Sequence, residues 1–105
     1  MRKMYLIMIL ISISIIISGC VQEEKTETDI ISACQQLCQQ EKDKGIDLSY
    51  GPCLSNQIAE DWVCDIAHSP RTDIDNQPEN QCPAFGETAS HFVELDENCE
   101  LIRKY

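Results

Sequence analysis

The chain is short of aromatic and basic residues. Phe, Trp and Tyr make up 6% of its 105 residues, and eight Lys and Arg stand against eighteen Asp and Glu. Because nucleic-acid binding relies on Lys and Arg to neutralise phosphates, this charge balance excludes a nucleic-acid-binding protein. Because few large side chains are available to fill a core, a domain of this size needs additional covalent or metal staples.

The sequence also lacks the common motifs of enzymes and metal sites. It contains no Gly-x-Ser-x-Gly motif, no phosphate-binding glycine loop and no dinucleotide-binding fingerprint. It has no Cys-x-x-Cys pair, the spacing typical of zinc and iron–sulfur ligands. His68 and His91 show no spacing that would bring them together, so a metal site built from them and a nearby Asp is only an alternative. We therefore predict no catalytic residues, no metal and no cofactor.

Long apolar segments are confined to the N-terminus. Arg2 and Lys3 precede an apolar run over residues 4–17 that only Ser12 and Ser14 interrupt. Fourteen helical residues rise about 21 Å, which is short of the roughly 30 Å hydrocarbon core of a bilayer. Length and flanking charges therefore favour a signal peptide over a transmembrane helix.

The end of this run, Ile17-Ser18-Gly19-Cys20, resembles the lipobox of prokaryotic lipoproteins: an aliphatic residue, two small residues and a cysteine. In that class the cysteine thiol is alkylated by a diacylglyceryl group, and cleavage leaves the cysteine as the N-terminus. The resemblance implies a signal peptide over residues 1–19 and a lipid on Cys20. The lipid would hold the protein at the outer face of the cytoplasmic membrane or in the cell envelope. An uncleaved signal anchor and plain secretion are the alternatives.

Removal of the signal peptide leaves an acidic domain behind a polar tether. All eighteen acidic residues and six of the eight basic ones follow residue 19, so the formal charge becomes −12. This charge favours solubility and suits a cationic partner, and it gives no attraction to anionic lipids. Residues 20–28 have no apolar period and predict a lipidated cysteine with a flexible tether, followed by the domain proper at residues 29–105.

Besides Cys20, six cysteines are spread through the domain. An even number of cysteines in an exported chain predicts three disulfides rather than metal ligands. Six cysteines allow fifteen connectivities, and the sequence does not choose among them. The cysteines are Cys34, Cys38, Cys53, Cys64, Cys82 and Cys99.

The apolar spacing predicts one helix over residues 29–44, with Thr28 or Asp29 as its N-cap. Cys34 and Cys38 lie one turn apart and point the same way, so each should bridge to a different segment. This Cys-x-x-x-Cys resembles the helical half of the cystine-stabilised αβ scaffold of defensins and some toxins, whose answering Cys-x-Cys is absent here. The resemblance implies a helix joined by disulfides to a sheet, and no activity.

Strands are predicted where apolar residues alternate. Residues 62–68 place Cys64 and Ile66 on one face, residues 89–96 form a second strand, and residues 100–105 can return as a third. The predicted fold is therefore a small α+β domain in which one disulfide-stapled helix packs on two or three antiparallel strands.

The segment 69–82 is long and polar and contains two prolines, which is typical of a functional or mobile loop. His68, Arg71, Asp73 and Asp75 are its polar candidates for contact with a partner. The run that begins at Asp73 alternates oxygen-bearing side chains, but it lacks the Gly and the distal Glu of a calcium loop. A weak calcium contact and a merely solvated connection are therefore alternatives.

These features favour a membrane-anchored extracytoplasmic binding or interaction module that presents the 69–82 loop from a rigid platform. The predicted membrane contact is the lipid on Cys20, and the identity of any protein partner stays open. The alternatives are a small exported enzyme or enzyme inhibitor, and a structural spacer of the envelope.

Overall fold

The computed structural model describes residues 25–105, and every structural statement below refers to that part of the chain. The predicted signal peptide, the lipidation site at Cys20 and most of the predicted tether lie outside the described residues. Within residues 25–105, no helix combines the length and the hydropathy that crossing a bilayer requires.

One α-helix, α1 (Glu27–Asp43), opens the described part of the chain. It begins two residues earlier than predicted because Thr26, rather than Thr28 or Asp29, is its N-cap. The Thr26 hydroxyl accepts a hydrogen bond from the Asp29 backbone N–H at 3.2 Å, and the Asp29 carboxylate accepts one from the Thr26 N–H at 3.2 Å. This reciprocal pair satisfies two backbone donors at the helix start, so the last residues assigned to the tether belong to the helix.

Four strands form one sheet in chain order: β1 (Cys53–Ala59), β2 (Trp62–Ile66), β3 (His91–Leu95) and β4 (Leu101–Lys104). The outer pairs β1–β2 and β3–β4 are antiparallel, whereas the central pair β2–β3 is parallel. The predicted α+β class, with one helix on a sheet, is confirmed. The predicted arrangement of two or three antiparallel strands is wrong in strand number and in the direction of the central pair.

Strand β1 was missed because its sequence does not alternate. Its central residues, Ser55, Asn56 and Gln57, are polar, and its register against β2 shifts twice. The parallel direction of the central pair differs from the prediction for another reason. Parallel strands need a long crossover, and residues 67–90 supply it. This crossover includes two short 3-10 turns, Asp73–Asn76 and Pro78–Asn80.

The helix covers one face of the sheet. The predicted inward-facing residues of β2 and β3 are confirmed there, since Cys64, Ile66, Val93 and Leu95 are all buried in the core that packs against α1. The alternate residues of the same strands point to the opposite face, which the helix does not cover. That second face is called the open face below.

All six cysteines of the domain form disulfides, as predicted. Two bridges fasten α1, one to β2 and one to the turn before β4, which confirms that the helical cysteines bridge different segments. The third ties β1 to the crossover. The pairs are Cys34–Cys64, Cys38–Cys99 and Cys53–Cys82.

Candidate functional site

A pocket of about 210 Å³ lies on the open face. Three neighbouring strands form its floor: β2 contributes Val63 and Asp65, β3 contributes Phe92 and Glu94, and β4 contributes Arg103. The crossover closes one side. The lining residues that it supplies are Arg71, Gln81, Cys82 and Phe85.

Strand register brings the charged residues of the floor together. Asp65 and Glu94 are direct partners across the parallel pair, so their side chains leave the same face of the sheet. Glu94 is in turn the partner of Arg103 across the antiparallel pair β3–β4. The result is a row of two carboxyl groups and a guanidinium group on three adjacent strands.

The carboxylate of Glu94 is buried, and both of its oxygens are hydrogen-bonded. Glu94 is only 2% exposed, and each of its oxygens accepts a hydrogen bond from an arginine. Arg71 Nη1 donates to Oε1, and Arg103 Nε donates to Oε2 at 2.6 Å. The bond with Glu94, together with its charge, raises the pKa of Arg103 above its usual value. Glu94 thus joins the crossover to strand β4.

The carboxyl group of Asp65, in contrast, has neither of these arginines bonded to it. Its Oδ1 is the one buried side-chain nitrogen or oxygen atom among the described residues that has no hydrogen-bond partner. Burial raises the pKa of Asp65 to about 7, and the charge of Glu94 adds to this shift. The guanidinium groups of Arg71 and Arg103 oppose the shift but do not cancel it. Near neutral pH the carboxyl group is therefore divided between its charged and neutral forms.

Phe85 and Phe92 line the pocket and are called its aromatic mouth below, and Tyr105 lies beside them. Phe85 meets Phe92 edge to face with ring centroids 5.2 Å apart, and Phe92 stacks on Tyr105 at 5.8 Å. The guanidinium group of Arg103 lies over the Phe92 ring, 5.4 Å from its centroid. Phe85 and Tyr105 are both exposed. The pocket therefore combines an unpaired carboxyl group with π surfaces that face solvent.

Asp75 holds the crossover in shape. It accepts hydrogen bonds from the backbone N–H groups of Thr72 at 2.9 Å and His68 at 3.0 Å, and its Oδ1 lies 2.9 Å from His68 Nδ1. Burial acts to raise the pKa of Asp75, but these hydrogen bonds outweigh it and keep that pKa below its usual value. Gly51 is required beside it, since a Cβ at this left-handed residue would lie 2.5 Å from Asp75 Oδ1.

The four residues proposed as the contact surface of the loop therefore have different positions. Arg71 lines the pocket, and Asp73 is exposed at the start of a 3-10 turn. Asp75 is only 3% exposed, so its carboxylate faces the interior of the loop, and His68 packs against it half-buried. Only Arg71 of this group reaches the pocket.

The two histidines do not meet. His91 lies at the start of β3, where it stacks on Trp62 at 4.6 Å between ring centroids, whereas His68 follows the far end of β2. A five-residue strand of about 16 Å separates these positions. Among residues 25–105 the structure has no group of three or more His, Cys, Asp or Glu side chains placed to hold a metal ion.

Thr72, His68 and Asp75 approach one another without forming a catalytic triad. The Thr72 hydroxyl lies 3.4 Å from His68 Nδ1, the same ring nitrogen that faces Asp75. In a triad the nucleophile and the carboxylate contact opposite nitrogens of the imidazole. Thr72 is therefore not placed as a nucleophile that His68 could activate.

Sequence reasoning missed most of the pocket. The alternation of β2 does place Asp65 opposite the core, but nothing in the sequence aligns it with Glu94 or Arg103. The available signal was a pair of charged residues, Asp65 and Glu94, each inside a short strand with apolar neighbours. Charged residues at such positions are rare unless they are paired or functional.

Comparisons with protein-family models, curated proteins and solved structures return no match to this chain. The chemistry of the pocket itself is therefore the basis for a functional assignment.

Proposed function

We propose that this chain is a lipid-anchored extracytoplasmic binding module, and that the pocket beside Asp65 is its ligand site. The observation that carries the binding role is the carboxyl group of Asp65, which lines the pocket and whose buried Oδ1 has no hydrogen-bond partner. Leaving a buried polar group unpaired costs about 1–3 kcal/mol. A ligand that donates a hydrogen bond to this carboxyl group recovers part of that cost.

The size of the pocket limits what it accepts. A cavity of about 150 Å³ holds benzene, so the 210 Å³ pocket has room for one small organic group or one side chain. Pockets for larger organic ligands are usually about 300–1,000 Å³. The ligand is therefore a small molecule or a single protruding side chain of a partner.

The surroundings of the pocket support recognition without a large ordering cost. The Cys53–Cys82 bridge fixes the crossover to β1, and the pair that Glu94 forms with Arg71 fixes it to β3. A preformed site loses less conformational entropy on binding. The predicted role of residues 69–82 as a contact loop is retained in part, because Arg71 forms one wall of the pocket.

The anchoring part of the proposal rests on Ile17-Ser18-Gly19-Cys20. Each buried acyl CH₂ contributes about 0.8 kcal/mol, and two chains anchor a protein far more firmly than one. In a bacterial host that processes lipoproteins, the protein should incorporate labelled fatty acid and partition into detergent. Cys20→Ala should abolish both, and equal labelling of the variant would contradict the anchor.

The binding part is tested by titrating the purified, ¹⁵N-labelled protein in detergent micelles with three probes of equal chain length: n-butylammonium, n-butanol and butyrate. Amide chemical shifts of residues 63–65 and 92–94 report on the pocket. Saturable shifts with any of the probes support a ligand site. If none of the probes perturbs these amides, the pocket is not a binding site and the structural-spacer alternative is favoured.

A further inference from the structure

We propose that the ligand of the pocket is an organic cation, a primary ammonium group on a short alkyl chain, whose N–H groups donate to Asp65 while its chain packs on Phe85. This inference rests on the proposed function, since it names the chemical class that the same pocket takes. It depends on which hydrogen-bonding groups in the pocket are already occupied and which are free.

Of the two carboxyl groups in the pocket, only that of Asp65 has an oxygen with no hydrogen-bond partner. Each oxygen of Glu94 already accepts a charge-assisted hydrogen bond, one from Arg71 and one from Arg103, so Glu94 is a weaker acceptor for a ligand than a carboxylate without partners. Asp65 Oδ1 has no partner. A ligand that carries N–H donors therefore completes the pocket at Asp65, and a positive charge on that ligand stabilises the ionised carboxylate.

Arg71 has little hydrogen-bonding capacity left for an anion. Each guanidinium nitrogen of Arg71 already donates: Nη1 to Glu94, Nη2 to the Asp75 carbonyl oxygen at 3.1 Å, and Nε to the Asn76 side chain at 3.3 Å. Arg103 uses only Nε, which donates to Glu94, so its two Nη groups stay free to donate, but its side chain is 55% exposed and solvent screens its charge. An anion would also meet the carboxyl groups of Asp65 and Glu94, whereas the two guanidinium charges that a cation would meet are already paired with Glu94.

The aromatic mouth favours a cation as well. The face of an aromatic ring attracts positive charge, and Phe92 already accommodates the guanidinium group of Arg103. Phe85 lines the same pocket, is exposed and offers a second ring for the alkylammonium chain. Val63 and Cys82 also line the pocket and offer the alkyl carbons further apolar surface. An acidic domain further raises the local concentration of cations and the rate at which they associate.

The test extends the titration with two variants. Asp65→Asn removes the acceptor charge in the pocket, and Asp73→Asn removes an equal charge from an exposed position on the same crossover, outside the pocket lining. We expect n-butylammonium to bind the unaltered protein and Asp73→Asn alike, and Asp65→Asn at least tenfold more weakly. n-Butanol should bind more weakly than n-butylammonium, and butyrate should not bind.

The outcomes separate this inference from the proposed function. If butyrate or n-butanol saturates the pocket amides at lower concentration than n-butylammonium, the pocket binds ligands but the cation assignment is overturned. Equal affinity of Asp65→Asn and Asp73→Asn for n-butylammonium also overturns it. If no probe shifts the amides, the proposed function fails with it.

A measurement on the unaltered protein keeps the test valid if Asp65→Asn does not fold. Only the ionised Asp65 attracts a cation, and Glu94, Arg71, Arg103 and Asp75 are the charged groups around it. n-Butylammonium affinity should therefore rise between about pH 6 and about pH 8. A flat profile contradicts the inference. Nα-acetyl-lysine methylamide then separates two sources of the same ammonium group, since tighter binding than n-butylammonium indicates a lysine side chain of a partner and weaker binding a free amine.

Discussion

On the face of the sheet that α1 covers, β2 and β3 present Cys64, Ile66, Val93 and Leu95, all of them buried and apolar. On the open face the alternate residues of the same two strands include Asp65 and Glu94. On the helix face, two disulfides fasten α1, one to β2 and one to the turn before β4. On the open face, one disulfide fastens the crossover to β1, and Glu94 binds two arginines. The same backbone thus supports two different kinds of packing.

This difference indicates where stability and where recognition reside. Among the described residues, the apolar and cystine packing of the helix face leaves no buried polar side-chain atom without a partner. The open face keeps a buried carboxyl oxygen without a partner and an aromatic mouth exposed to solvent. Departures from the rules of stable packing concentrate at functional sites, which is why the open face is the one to test for binding.

The largest effect expected on the helix face comes from removing its longer-range bridge. Replacing both Cys38 and Cys99 by Ser should lower the free energy of unfolding by about 4 kcal/mol, because the bridge spans a sequence separation of 61 residues and constrains the unfolded chain. Urea unfolding without reductant measures this.

The matched control lies on the open face. Replacing Cys53 and Cys82 by Ser removes a bridge of sequence separation 29, for which the same reasoning gives a slightly smaller loss. Unlike the first variant, it should also alter the chemical shifts of the pocket amides. If loss of the Cys38–Cys99 bridge disturbs the pocket as much, the two faces are not independent.

The next largest effect is expected on the open face. Glu94→Gln keeps the shape of the side chain but leaves Arg71 and Arg103 without their carboxylate, and it should cost about 2–3 kcal/mol. The expected loss is below that of a fully buried pair because both arginines are partly exposed. Glu100→Gln, at an exposed position, is the control and should change stability little. Equal losses for the two variants would show that the arginine pairs do not hold the open face together.

The helix face was largely predictable from the sequence, because its signals are local. The period of α1, the divergent bridging of Cys34 and Cys38, and the alternation that buries Cys64 and Ile66 all follow from spacing within one element. The N-cap was placed two residues too late because Thr26 and Thr28 are both suitable capping residues, and only the backbone geometry decides between them.

The open face could not be predicted in the same way, because its contacts join distant segments. Asp65 meets Glu94 only because β2 and β3 are parallel, and that direction depends on the path of residues 67–90 across the sheet. Arg71 was identified as a polar contact residue of the loop, but its partner Glu94 was not. Asp75 was also predicted to contact a partner, but its carboxylate is buried and accepts hydrogen bonds from the backbone of the loop itself.

Replacing Asp65 is expected to raise the free energy of unfolding, by less than the loss expected for Glu94→Gln. Its pKa is raised to about 7, so the folded protein holds a proton that the unfolded chain releases between about pH 4 and that value. Stability from this group is therefore lost as the pH rises through that window. The shift corresponds to about 4 kcal/mol, but Asp65→Asn leaves a buried amide group without a partner, so the substitution should stabilise the protein by about 1–2 kcal/mol at pH 8 and have little effect at pH 4. Urea unfolding at both pH values measures it.

Asp75 supplies the contrasting control. Its pKa is below the usual value, so its contribution to stability is present near neutral pH and is lost as the pH falls. Asp75→Asn should therefore destabilise the protein at pH 7, and the difference from the unaltered protein should shrink at acidic pH. If both variants change stability in the same direction at neutral pH, Asp65 is not a strained group and the contrast between the faces is weaker than the structure indicates.

The smallest effect is expected at the start of α1, where the helix face is held by a cap rather than by a bridge. Thr26→Ala removes the capping hydroxyl and should cost about 0.5–1 kcal/mol, whereas Thr26→Ser keeps it and should be close to neutral. Fraying should stop where the Cys34–Cys64 bridge fastens the helix to β2. Amide hydrogen exchange should therefore accelerate over residues 29–31 and stay unchanged beyond Cys38. Acceleration along the whole helix would mean that its stability depends on the cap, and that the two bridges do not hold this face of the sheet closed.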